Sequence, residues 1–139
     1  MKFLQLSAIF LLIFATGCAS LKSNKELPGS GTIDVKKEAK SEKYGYSQSE
    51  PINVGGVSDG NGPGMERKFL NQLAGPNGEE ITYDRVSSCC AFDTPHGLLG
   101  QGLLDVYEVT WEGLTAPKKL YINMYDYEEP MIPVGFTRK

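Results

Sequence analysis

The chain has 139 residues, with 14 basic and 17 acidic side chains and a net charge of −3, which is room for one domain once any leader is set aside. An acidic balance without a basic stripe excludes a nucleic-acid-binding protein. It also excludes electrostatic docking on anionic lipid as the main mode of membrane attachment.

Lys2 is the only charge ahead of an apolar run that includes Leu11-Leu12-Ile13-Phe14. The run is shorter than the ~20 apolar residues of a membrane-spanning helix. It closes in Phe14-Ala15-Thr16-Gly17-Cys18-Ala19-Ser20. A basic start, a short apolar stretch and small residues make a secretory leader. Small residues directly before a cysteine resemble the bacterial lipobox. Residues 1–17 are therefore expected to be a lipoprotein signal peptide, and Cys18 the acylated first residue of the mature chain. The competing readings are a membrane-spanning anchor and cleavage one residue away that leaves Cys18 free. Acyl chains add about 0.8 kcal/mol per buried methylene, so several of them, as the resemblance implies, hold a protein permanently. Ala19-Ser20 lacks an aspartate of the inner-membrane retention type, which by the same analogy favours the outer membrane, facing the periplasm or the cell surface.

Residues 18–45 are rich in Lys, Ser and Glu and poor in aromatics, the composition of a disordered tether. The alternative, a helix from Val35 to Glu42, would have no apolar face. The globular domain is expected over residues 46–139.

Met65, Phe69, Leu70 and Leu73 recur on one helical face, with Pro63 before them and Gly75-Pro76 after. They predict one amphipathic helix over Met65–Ala74. Asn77-Gly78 is a turn, and Ile81–Val86 reads as a strand. Leu103–Trp111 and Leu120–Tyr127 alternate and are joined by a short loop, which predicts an antiparallel hairpin. Val134–Phe136 reads as a short final strand. One helix and a small antiparallel sheet with a central hairpin make the fold class α+β.

With Cys18 acylated, Cys89 and Cys90 are the remaining thiols. A disulfide has its Cα atoms about 4.4–6.8 Å apart, farther than neighbouring residues reach. Two small buried hydrophobes that stay reduced are therefore favoured over a strained vicinal disulfide, and both over a redox-active pair, because the spacing is not Cys-x-x-Cys. His96 is the single histidine. Cys89, Cys90, Asp93 and His96 are weak candidate metal ligands that would have to converge through a folded-back loop, and no second Cys/His pair completes a closed site. The simpler reading is that Thr94-Pro95-His96-Gly97 forms a turn. No phosphate loop or complete calcium loop is present, and no cofactor is expected. The polar face of the Leu120–Tyr127 strand carries Tyr121, Asn123, Tyr125 and Tyr127. It is a candidate surface for a protein or glycan ligand, since tyrosine offers contact area at low entropic cost. The competing reading has that face packed inside.

Tyr44-Gly45-Tyr46 through Gly55-Gly56, Gly64 through Cys90, Leu103 through Gly113 and Leu120 through Phe136 together resemble an uncharacterised family of small bacterial lipoproteins of the bacteroidete kind. Some of its members are labelled 2-dehydro-3-deoxyphosphooctonate aldolase. The resemblance thus implies an envelope lipoprotein and, through the label, a sugar-phosphate aldolase activity. That enzyme is a (β/α)₈ barrel, and such barrels take about 250 residues. The chain's own length therefore predicts a different fold, and no site residue carries over. The sequence points to a membrane-anchored exported binding or structural module. The alternatives are a thiol-dependent redox or enzymatic protein using Cys89 and Cys90, and last the aldolase.

Overall fold

The computed structural model describes residues 33–139; the leader and Cys18 lie outside them. In chain order the elements are β1 (Ile52–Asn53), a 3₁₀ turn (Val57–Asp59), α1 (Gly62–Leu70), β2 (Leu73–Ala74), β3 (Ile81–Leu98), β4 (Gln101–Trp111), β5 (Lys118–Asn123) and β6 (Thr137–Arg138). The main sheet has the order β1-β5-β4-β3, with β1 parallel to β5 and the other pairs antiparallel. The fold is α+β, with the expected hairpin at β4–β5 and a longer one at β3–β4.

Pro63 stands in the first turn of α1, where its missing N–H costs no helical bond. Arg67 and Lys68 in the last turn oppose the negative end of the helix dipole. Met65, Phe69 and Leu70 are buried, as their spacing predicts. The helix stops at Leu70, earlier than expected, and Leu73–Ala74 instead pairs with Thr137–Arg138. Leu73 is buried in either conformation, so its periodicity is silent about the change. The final strand accordingly falls at Thr137–Arg138, after the buried Phe136.

The apolar side of the sheet packs Ile52, Val54, Tyr107, Val109, Leu120 and Ile122 against α1. The same core contains Ile33, Val35, Ala39 and Tyr44. Residues 33–45 therefore belong to the domain, which corrects their expected place in the tether. Ile33 and Val35 turn inward on an extended segment while Asp34 and Lys36 face water. Backbone bonds between Lys37 or Ala39 and Ile132 hold the segment to the C-terminal region, each 2.8 Å long. Two inward residues at period two are too short a pattern to stand out of a Lys- and Ser-rich stretch.

Strand β3 runs twelve residues beyond the expected Val86 end, to Leu98. Its register against β4 slips between Arg85 and Ser87, between Cys89 and Phe92, and between Asp93 and Leu98. Each slip moves the following side chains to the other face, so simple alternation is lost. In contrast, β5 ends at Asn123 rather than Tyr127. The Asn123 side-chain oxygen accepts the N–H groups of Tyr125 and Asp126 at 2.8 and 3.3 Å, which bends the chain out of the sheet.

Candidate functional site

The far end of the β3–β4 hairpin is built from both backbone and side-chain chemistry. Leu98 pairs with Gln101, the Thr94 N–H donates to the Gly100 carbonyl at 3.0 Å, and Gly97 to Gly100 closes the tip. Leu99 has φ 55° and Gly100 φ 79°. A left-handed glycine is free of strain, whereas a left-handed leucine costs about 1–2 kcal/mol. Leu98 and Leu99 are 84% and 95% exposed, the two most exposed large apolar side chains among the described residues.

A polar cluster fixes this tip to the end of β5. The Thr94 hydroxyl donates to Asp126 Oδ1 at 2.7 Å, and His96 Nδ1 meets the same oxygen at 2.9 Å. The Asn123 amide donates to Asp126 Oδ2 at 3.1 Å and to Asn53 Oδ1 at 2.9 Å. Asn53 in turn donates to Glu128 at 2.9 Å. Partial burial works to raise the Asp126 carboxyl, but the bonds from His96, Asn123 and Thr94 outweigh it and hold the group below the usual carboxylate range. His96 therefore carries its second ring nitrogen, Nε2, outward from an Asp-oriented ring. Among the described residues no hydroxyl or thiol is bonded to that nitrogen, so the pair orients the loop and assembles no triad with them.

The four candidate metal ligands do not converge. Cys89 and Cys90 are joined to each other, Asp93 accepts from Gln101, and His96 binds Asp126. Among the described residues no three His, Cys, Asp or Glu side chains gather around one point.

The favoured reading of Cys89 and Cys90 as reduced hydrophobes is corrected: they form a vicinal disulfide, half-buried on β3. Cys90 takes φ 62°, a left-handed conformation at the register slip before Phe92. The slip lets the chain turn both sulfurs to one side, which a regular strand does not allow.

The four residues of the candidate tyrosine surface differ in burial, from the exposed Tyr127 to the buried Asn123. Asn123 is buried within the polar cluster, and Tyr125 packs edge-on against Phe92 with ring centres 6.0 Å apart. Tyr121 is half-buried, and Tyr127 lies beyond the bend on a bridge to Val54. Once β5 ends at Asn123, the four side chains no longer share one face.

Sequence reasoning missed Asp126, Leu98 and Leu99. The leucines carried a readable signal: an apolar pair set between Gly97 and Gly100, where a turn gives it nowhere to be buried. Asp126 carried none, because its partners at the tip, His96 and Thr94, lie 30 and 32 positions away.

The chain matches no family model, no curated protein and no solved structure.

Proposed function

We propose that this protein is an exported, lipid-anchored binding module that presents the β3–β4 tip to an apolar cleft on a protein partner. The leader supports the anchor, through Cys18 and the lipobox resemblance. The observation that carries the binding reading is the pair Leu98-Leu99, held in full exposure at a strained turn. Burying a leucine is worth roughly 1.5–3 kcal/mol, so two exposed leucines on a fixed scaffold are a compact source of affinity. Strain that persists at a fixed exposed position is a pointer to function. Leucine side chains suit an apolar protein cleft rather than a glycan.

Two measurements test the reading. Cys18→Ala is expected to abolish acyl-chain labelling and move the protein from the membrane to the soluble fraction; unchanged labelling would remove the anchor. A photo-reactive residue at position 99, in cells, is expected to give discrete protein adducts that a matched residue at position 115 does not. Equal adducts at both positions, or lipid adducts alone, would remove the protein-binding role.

A second reading is favoured by the vicinal disulfide. A disulfide between neighbours is readily reached by a dithiol reductant, which would be oxidised to its own disulfide as Cys89 and Cys90 become two thiols. Under that reading β3 carries a redox-responsive segment beside the tip.

A further inference from the structure

Glu66 on α1 and Asp105 on β4 are 0% and 1% exposed. Neither is used by the hairpin tip. Each carboxyl has one oxygen satisfied and one without a donor. Glu66 Oε2 accepts the Tyr107 hydroxyl at 2.8 Å. Asp105 Oδ1 accepts Arg85 at 2.6 Å and the Ser88 hydroxyl at 2.7 Å. Glu66 Oε1 and Asp105 Oδ2 remain, both buried and both without a donor among the described residues. Asp105 and Tyr107 stand two apart on β4 and so share a face of the sheet, which puts the Asp105 carboxyl on the side where Tyr107 meets Glu66.

The groups facing the pair are Glu66 from α1, Asp105 and Tyr107 from β4, and Arg85 and Ser88 from β3. Arg85 supplies one positive charge, and it and Ser88 both point at Asp105, which fixes the negative charge there. A second buried anion at Glu66 would have no counter-charge, and an uncompensated buried carboxylate is strongly unfavourable. A cation between the two oxygens would be repelled by the Arg85 guanidinium on the other Asp105 oxygen. A proton satisfies both oxygens at once: Glu66 becomes a donor, and Asp105 Oδ2 accepts from it.

We propose that Glu66 and Asp105 share one proton, and that this carboxyl–carboxylate bond is a pH-sensitive latch between α1 and the β3–β4 hairpin. Burial is the main cause that pushes the Glu66 carboxyl up, to about 8, followed by the Asp105 charge. Because the folded value is raised above the ordinary 4.5, the latch contributes fully below about pH 4.5 and weakens as pH rises through about 8. Above that range α1 carries a buried anion beside Asp105, and its contact with the sheet loosens.

Thermal unfolding of the full chain between about pH 4 and about pH 9 tests this, comparing wild type with Glu66→Gln. Glutamine has the shape of a protonated glutamate, donates to Asp105 and still accepts from Tyr107. The expected result is equal stability at acid pH and a widening advantage for the variant as pH rises. A variant that follows wild type at every pH, or is weaker already at acid pH, would overturn the latch. Carboxyl ¹³C titration of the folded wild type supplies a second readout, expected to place Glu66 near pH 8. A titration in the ordinary carboxylate range, or a melting temperature that falls on adding a chelator, would also overturn it.

Discussion

Gln72 binds Val35 as a neighbouring strand would: its Oε1 accepts the Val35 N–H at 3.0 Å, and its Nε2 donates to the Ile33 carbonyl at 2.6 Å. One side chain thus satisfies two backbone groups of a segment that has no sheet partner there. Val35 is fully buried beneath it. Gln72→Ala is expected to cost about 1–3 kcal/mol, because both backbone groups lose their partners. A chain beginning at residue 46 also loses Ile33, Val35, Ala39 and Tyr44 from the core and is expected to be unfolded or partly folded, whereas one beginning at residue 31 folds. Urea unfolding of the three proteins compares them directly; equal midpoints would mean that residues 33–45 add nothing to the fold.

Leu99 joins exposure to backbone strain, and the two separate by substitution. Leu99→Gly relieves a left-handed penalty of about 1–2 kcal/mol and adds unfolded-state entropy of about 0.5–1 kcal/mol, so stability should hold or rise by up to about 1.5 kcal/mol. Leu98→Ser should leave stability within about 0.5 kcal/mol of wild type. With the photo-reactive residue at position 99, Leu98→Ser should lose the cross-linked adducts from the tip. A loss of several degrees in melting temperature would show instead that the leucines serve the fold.

The tip depends on Asp126. Thr94→Val removes one donor to its carboxylate and leaves Thr94's buried place occupied by a similar volume. We expect faster amide exchange over residues 94–100 with little change in β4 and β5. Acid should act in the same direction. Asp126 is held below its ordinary 3.8, so its contribution is present above about pH 4 and is lost as pH falls through the lowered value. Exchange rates at the tip that are indifferent to both changes would count against the polar cluster as its anchor.

The disulfide is open to a direct count. Without reductant, the folded protein should take up no alkylating agent at Cys89 or Cys90; after a dithiol it should take up two equivalents. Mass spectrometry of the peptide that contains both residues reads the difference. Full alkylation before reduction would restore the reduced pair and with it the bland role of two small hydrophobes.

The parts legible in the sequence were local. The Met65, Phe69 and Leu70 spacing places one helical face in the core, and two alternating runs divided by a short loop make β4 and β5. The parts missed depend on contacts between distant positions. Helix α1 loses its last turn because Leu73–Ala74 finds a partner in Thr137–Arg138. Strand β3 hides its length because three register slips scramble its alternation. The expected strand to Tyr127 ends at Asn123 because that side chain bends the chain, an event of one residue that no period records. The expected tether was misread because its inward residues are few.

By itself, then, the sequence determined the α+β class, one helix and the central hairpin, since hydrophobic periodicity is a property of neighbouring residues. Tertiary structure alone decided that residues 33–45 join the core, that Cys89 and Cys90 are bonded, that Asp126 fixes the hairpin tip, and that Glu66 faces Asp105. Those outcomes depend on charge and hydrogen-bond partners brought together from far along the chain, where burial and desolvation, not local preference, set the result.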